Sequence, residues 1–290
     1  MKIRCGITGA KGYLGSRLKE YFEKQKIEVI SLSRSRSKDD RSICFSLGSE
    51  VMVESLRGLD ALVHCAYDFS VLGWSDILRV NVEGTRRLFQ AAGAAGVKKI
   101  IFVSSMSAFP DCKSLYGRAK LLGEAAAVEI GAMVVKPGLI YDAHAGGMVG
   151  ALRSVIKKSS WVPILRTEKQ RLYLLHSRDF CRFIFSVVSD QIHSLPRPVA
   201  LAHPQGFALE EIVRILGESM GKDLLLLPVP NRLVYAVLKT AETLGFRGRL
   251  RSDAVQSLLY CDPAPSFSEM STLKFEPAEF SAESLNGALA

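Results

Sequence analysis

The chain carries no paired-cysteine motif. Its six cysteines, Cys5, Cys44, Cys65, Cys112, Cys181 and Cys261, are scattered through 290 residues without one C-x-x-C spacing. That scatter argues against a disulfide framework and against a cysteine-based zinc site. Cys5 and Cys65 fall in strand-like apolar runs, where cysteine is usually a small buried hydrophobe. Neither His64 nor His176 has metal-ligand company at useful spacing, so no metal is expected. Also missing is an apolar run long enough to cross a bilayer. The residues before the first strand leave no room for a signal peptide, and the expectation is a cytoplasmic protein with no membrane partner. No repeat or low-complexity segment occurs. The net charge of +9 is not drawn into one basic run: residues 151–180 hold seven Lys/Arg against two acids, and residues 231–253 five against two. Clusters of that size suit phosphate-bearing small molecules. Without a helix-turn-helix, zinc finger or aromatic-rich strand motif, no nucleic-acid partner is expected.

What is present describes an ordinary globular chain, 48% apolar and 23% charged, long enough for one large α/β domain with a smaller lobe. Its most informative stretch is Thr8-Gly9-Ala10-Lys11-Gly12-Tyr13-Leu14-Gly15. An apolar run, Ile3 to Ile7, precedes it as a candidate strand. Leu14, Leu18, Tyr21 and Phe22 follow at helical spacing. Strand, glycine-rich turn and helix N-terminus together make a phosphate cradle. Gly9 permits the tight turn, Gly12 lets backbone approach a pyrophosphate, and Gly15 lets helix pack on strand. The first helical N–H groups then point at the anion.

Strand-like and helix-like segments alternate through the first half. Strands are expected at Glu28–Leu32, Ala61–Ala66, Lys99–Ser104 and Met133–Lys136. A helix from about Asn81 to Ala95 carries Leu88, Phe89 and Ala92 on one side and stops at Gly96. This pattern implies right-handed crossovers and a parallel sheet covered on both faces. The expected fold is α/β, a Rossmann-type doubly wound parallel sheet with a smaller C-terminal substrate-binding lobe. The regularity weakens after Tyr141. The division read from it is residues 1–142 and 178–204 for the dinucleotide-binding domain, and 143–177 and 205–290 for the lobe.

Tyr116-Gly117-Arg118-Ala119-Lys120 is the second motif. Tyr and Lys four apart share one helix face. A free phenol titrates near pH 10, too high for easy proton exchange, and a nearby positive charge lowers that value. Tyr116 then suits general acid/base work on an alcohol or ketone. Ser104, Ser105 and Ser107 stand at the carboxyl end of the strand Ile100–Val103, where ligands bind in open α/β sheets.

The glycine loop, His64-Cys65-Ala66, Asn81-Val82-Glu83-Gly84-Thr85, Val103-Ser104-Ser105, the Tyr116/Lys120 pair and Lys136-Pro137-Gly138-Leu139-Ile140-Tyr141 occur in the order found in extended short-chain dehydrogenase/reductases, the family of NAD(P)-dependent epimerases, dehydratases and ketoreductases of nucleotide sugars. Leu175-His176-Ser177-Arg178-Asp179 and Leu273-Lys274-Phe275-Glu276-Pro277 are weaker matches to its later motifs. The resemblance implies that Ser105 positions the substrate oxygen, Tyr116 transfers the proton, and Lys120 holds the nicotinamide ribose and tunes the tyrosine. It also places Gly9, Gly12, Tyr13, Leu14, Gly15, Ala66, Asn81, Pro137 and Gly138 along the cofactor. Arg171 is similar to an arginine that holds the nucleotide diphosphate, and Arg249 is a further candidate from the C-terminal lobe. Homodimerisation through the helices holding Asn81–Ala95 and Tyr116–Val128 is implied as well.

Family dehydratases carry an Asp-Glu pair after the serine/threonine, whereas Met106-Ser107 follow Ser105 here, so dehydration is not expected. Reduction and epimerisation remain. Arg34 lies nineteen residues beyond Gly15, where NAD-binding members often place an acid for the ribose 2′-hydroxyl and an arginine accommodates a 2′-phosphate. Ser33 and Arg34 therefore favour NADP over NAD and tilt the reading to an NADPH-dependent ketoreductase acting on a nucleotide-activated sugar. The alternatives are an NAD-dependent sugar-nucleotide epimerase, a small-ketone carbonyl reductase and a non-catalytic dinucleotide sensor. Replacing Arg34 by Ala should weaken NADPH binding by about tenfold, equivalent to about 1.4 kcal/mol, and leave NADH binding nearly unchanged. Fluorescence titration with both cofactors checks this.

Overall fold

The apolar run ahead of the glycine loop is the first strand of a parallel sheet, β1 (Arg4–Thr8). In the computed structural model, residues 2–34, 42–144, 146–165, 170–193, 198–245 and 251–286 are described. After β1 come α1 (Tyr13–Lys24), β2 (Glu28–Ser33), β3 (Ser42–Cys44), a short α2 (Val53–Leu56), β4 (Ala61–His64) and a short α3 (Trp74–Ile77). A π-helical turn at Leu78–Val82 leads into α4 (Glu83–Ala94), followed by β5 (Lys99–Val103), α5 (Leu115–Glu129) and β6 (Met133–Pro137). The second half runs β7 (Leu139–Tyr141), α6 (Gly147–Lys158), β8 (Trp161–Leu165), β9 (Leu172–His176), α7 (Ser177–Val188), β10 (Val199–Leu201), β11 (Gly206–Phe207), α8 (Leu209–Glu218), β12 (Leu225–Val229), α9 (Asn231–Thr243) and α10 (Ser252–Leu259).

The seven strands of the main sheet are ordered β3–β2–β1–β4–β5–β6–β10, and every pair is parallel. This is the doubly wound α/β fold that the alternation of segments implies. One face is covered by Leu18 and Phe22 of α1 with Phe180, Phe183 and Ile184 of α7. The other is covered by Leu88, Phe89 and Ala92 of α4 and Ala127 of α5. Burial on both faces explains why the strands read as continuous apolar runs and not as alternating ones. The later elements form smaller sheets: β7 pairs with β9, β9 with β11, and β8 with β12. Val162, Ile164, Leu174, Ile212, Val213 and Leu216 build a separate apolar core there.

The strand order reverses between β1 and β4, so a crevice opens at their carboxyl ends. Gly9 has φ +67°, and a Cβ on it would lie 3.1 Å from the Ala66 backbone. A Cβ on Gly15 would lie 2.3 Å from the Gly9 carbonyl oxygen. Only glycine lets the first turn of α1 sit this close to the loop.

A buried hydrogen-bond chain locks the same crevice. Ala66 N–H donates to Thr8 Oγ1 (3.1 Å), and the Thr8 hydroxyl contacts His64 Nδ1 (2.7 Å). His64 Nε2 contacts Thr85 Oγ1 (2.9 Å), which donates to the Asn81 carbonyl (2.6 Å). Since Thr85 spends its proton on Asn81, His64 donates from Nε2 and accepts at Nδ1. Every member is satisfied with a neutral imidazole. Burial, with the Lys120 charge added, pushes the His64 pKa down to about 3.

The sign for stability follows directly. Below pH 6.5 the unfolded chain takes up a proton that the folded imidazole refuses, so stability falls with pH by up to about 1.4 kcal/mol per unit until about pH 3. Replacing His64 by Leu should remove that slope. It should also cost about 3 kcal/mol at neutral pH, because two buried hydroxyls each lose a partner. Denaturant melts of both proteins from pH 7 to 4 measure both effects.

Candidate active site

α1 begins without a side-chain cap, since its N-cap residue is Gly12. Its first N–H groups therefore have no carboxylate or hydroxyl supplied by the cap and are left to an anion. A Cβ on Gly12 would meet only the Gly9 carbonyl, at 3.2 Å, so the loop surface is otherwise open on that side. These observations fit a dinucleotide pyrophosphate. Leu14 packs into the core beneath. Tyr13 turns the other way: its ring lies against Gly146, and Arg17 stands 5.9 Å over it. Arg17 Nε also pairs with Asp142 (3.2 Å), which accepts from Ser177 Oγ (2.8 Å). The segment after β7 is thus fastened to the start of α1. Ser33 ends β2, which pairs with β1, and the exposed Arg34 follows it.

β5 delivers the two serines and α5 the tyrosine and lysine. The strand ends at Val103, and adjacent serines then take different paths. Ser104 is buried and donates to Glu124 Oε1 at 2.5 Å. Ser105 stays partly exposed, and its Oγ accepts from Ser107 N–H (3.1 Å). α5 starts at a Ser114 cap, whose Oγ accepts from Gly117 N–H (3.1 Å). Gly117 and Gly123 let the helix press onto the Ser107 carbonyl and the Phe102 ring, each within 3 Å of where a Cβ would stand. Tyr116, Lys120 and Glu124 then follow one another along a single helix face.

Burial pushes the Tyr116 phenol up to about 12, and the nearby Ser105 hydroxyl works against that rise by favouring the phenolate. Here the structure differs from the expected lowering by Lys120. The ammonium is spent on Val103 O (2.8 Å) and lies over the rings of Phe102 (4.7 Å) and Tyr67 (5.6 Å). Burial in that setting draws Lys120 down to about 8, opposed by the nearby Cys65 and Glu124. Glu124 is itself buried and raised by desolvation, and it accepts from Lys136 Nζ at 3.4 Å.

Three features lie outside the sequence motifs. Glu124 ties Ser104 and Lys136, the neighbours of Ser105 and Pro137, to the catalytic helix; its place eight residues after Tyr116 was a usable signal. Asp253 at the start of α10 accepts from the N–H groups of Leu115 (2.7 Å) and Tyr116 (3.0 Å). Nothing in the sequence connects it to a helix more than a hundred residues earlier. Finally, Tyr67 and Phe69 roof Tyr116: Phe69 stacks at 5.6 Å, Tyr67 meets it edge-on at 4.9 Å, and Arg251 donates to the Phe69 carbonyl.

Other expected residues have definite partners. Asn81 is buried, and its amide is engaged by the Asp68 backbone, accepting from N–H (2.7 Å) and donating to C=O (3.2 Å). Pro137 O accepts from Met106 N–H (3.1 Å), and a Cβ on Gly138 would strike Tyr173 O at 2.3 Å. Arg171 forms an exposed ion pair with Glu211 (3.0 Å). Arg249 lies outside the described residues. No group of His, Cys, Asp or Glu among the described residues is arranged to hold a metal.

The model of the NAD dependent epimerase/dehydratase family matches residues 5–194. A ceramide reductase of Caulobacter vibrioides is 27% identical over 247 residues, covering 81% of this chain and 77% of that protein. Among solved structures, MoeE5 in complex with UDP-glucuronic acid and NAD superposes with a TM-score of 0.75 at 20% identity, over 98% of this chain and 96% of the other. The dTDP-4-dehydrorhamnose reductase of Bacillus anthracis in complex with NADP gives 0.67 at 15% identity, over 88% and 98%. With the match running through the glycine loop, Ser105, Tyr116 and Lys120, the chain belongs to the NAD-dependent epimerase/dehydratase family and is an NAD(P)-dependent enzyme.

Proposed function

We propose that the protein reduces a ketone to a secondary alcohol with NADPH, and that the ketone carries an apolar flank. The single observation behind the apolar flank is the roof of Tyr67 and Phe69 over Tyr116. A substrate oxygen reaching the Tyr116 hydroxyl brings its neighbouring carbons against aromatic rings. The ion pair that occupies Arg171 points the same way, as does the likeness to a ceramide reductase over most of the chain.

In this reading a bound nicotinamide supplies the hydride, which the protein chain cannot. The Gly9–Gly15 loop holds the pyrophosphate, with Tyr13 and Leu14 fixing the loop's two sides. Ser33 and Arg34 take the adenosine ribose and its 2′-phosphate. Ala66, Pro137 and Gly138 line the nicotinamide end, while Asn81 acts by holding the Asp68 loop. Ser105 donates a hydrogen bond to the ketone oxygen. Tyr116 gives that oxygen its proton as the carbonyl carbon accepts the hydride, so ketone, hydride and proton balance to the alcohol. Lys120 holds the ribose beside Tyr116. The described residues of 143–177 and 205–290 form the substrate side of the cleft.

A nucleotide-activated sugar is the second reading. It is favoured by the fold's likeness to a protein whose structure holds UDP-glucuronic acid. In that case Arg171 must leave Glu211 for the diphosphate. The test is NADPH oxidation with two probes, a long-chain N-acyl amino ketone in detergent and a keto sugar linked to dTDP. Turnover of the first with a kcat/KM at least about tenfold higher (about 1.4 kcal/mol) is expected, and the reverse order selects the sugar. In either case, Tyr116→Phe should lower kcat by about 10²–10⁴, the usual share of a general acid, with NADPH binding retained.

The pH profile has a definite sign. Tyr116 stays protonated throughout the working range, while Lys120 loses its charge near pH 8. Reductive kcat/KM should therefore be level below about pH 8 and fall above it. A Lys120→Met protein should show low activity without that descending limb.

A further inference from the structure

β8 and β12 form a parallel pair whose outer face breaks the usual pattern. Val162 and Ile164 turn inward to the lobe core, with Leu226 packed against it. The register Leu225↔Trp161 and Leu227↔Pro163 sets four other side chains next to each other on the opposite face. All four are apolar and all are exposed, Trp161 to 64% and Leu225 to 52%. Parallel strands are normally covered on both sides, and an outward face normally alternates to polar residues. This one does neither.

Its border is cationic. Lys157 and Lys158 end α6 just before Trp161, both exposed and without an ion pair among the described residues. Across residues 155–165 and 222–241 stand Lys157, Lys158, Lys222, Arg232 and Lys239 against the single acid Asp223. Nearby in the chain, α9 buries no residue and exposes Leu233 and Val237 one turn apart, with Leu244 exposed at its C-cap. A second copy of the chain brought onto the ribbon would set lysine against lysine, which repels.

We propose that this ribbon seats the protein on an anionic bilayer surface. Leu225, Leu227 and Pro163 enter the acyl boundary, the Trp161 indole lies at headgroup level, and Lys157 and Lys158 meet lipid phosphates. The contact is peripheral: no described helix is long and apolar enough to cross a membrane. It deepens the reading of an amphiphilic ketone as substrate, because a bilayer would hold such a molecule. The test needs neither substrate nor cofactor, so the two readings succeed or fail separately.

The full-length protein is sedimented with phosphatidylcholine vesicles containing about one-third phosphatidylglycerol, and with phosphatidylcholine alone, at about 0.1 M salt. Trp74→Phe leaves Trp161 as the sole indole reporter. Expected are binding to the anionic vesicles, a blue shift of Trp161 emission, and at least about tenfold weaker partitioning in Lys157→Glu/Lys158→Glu, from a few-fold per surface lysine. Trp161→Glu/Leu225→Glu should not bind, with an unchanged far-UV circular dichroism spectrum and melting temperature showing that it folds. Absence of binding to anionic vesicles overturns the assignment. Equal binding to neutral vesicles, or binding untouched by either double substitution, does the same. A concentration-dependent dimer that ignores vesicles and is lost in Trp161→Glu would assign the face to self-association instead.

Discussion

The site depends on how the ends of β1 and β4 are held. Two parallel strands that part at a switch point leave backbone groups and side chains facing a crevice, and those groups must be satisfied before anything binds. Thr8, His64, Thr85 and Asn81 meet that requirement with one continuous hydrogen-bond chain. Because the chain is buried, a missing member would leave a polar group in a low-dielectric interior at a cost of about 1–3 kcal/mol. The same residues fix what lies nearby. Thr8 precedes the glycine loop and anchors Ala66, while Asn81 fixes the Asp68 backbone. Thus the cofactor cradle and the loop that carries Tyr67 and Phe69 share a single support.

The helix carrying Tyr116 and Lys120 is held with comparable completeness. Its N-terminus is bound by Ser114 and Asp253, its middle by Lys120 on Val103, and its inner face by Glu124 between Ser104 and Lys136. Close packing through Gly117 and Gly123 removes the slack that longer side chains would leave. Such bracing matters because a displacement of about 1 Å at a reacting group can cost on the order of 10² in rate. Burial sets the chemistry as well as the geometry. It makes Tyr116 a reluctant acid and Lys120 a weakly held cation, so the tyrosine depends on Ser105 and on charge brought close to it.

Hydrophobic exposure is concentrated in the C-terminal lobe. The main sheet buries both faces, whereas the β8/β12 ribbon and α9 leave apolar side chains in solvent. In a protein of net charge +9, that apolar surface lies beside the exposed Lys157 and Lys158. The roof over Tyr116 has the same character within the cleft.

The sequence alone determined the sheet, the family and the motifs that mark the candidate site. Buried parallel strands must be apolar runs, a phosphate cradle must be glycine-rich between strand and helix, and a Tyr–Lys pair must be four apart to share a helix face. Each of these rules is local, so the residues near one another in the chain were enough. Tertiary structure decided what depended on distant partners. It separated Ser104, buried on Glu124, from Ser105, partly exposed and accepting from Ser107 N–H. It gave Asn81 to the Asp68 backbone and Arg171 to Glu211, and it brought Asp253 and Arg251 to the catalytic helix and its aromatic roof. The sequence pattern expected Lys120 to lower the tyrosine, but burial reversed the balance, since desolvation is set by everything packed around a group and not by its neighbours in the chain.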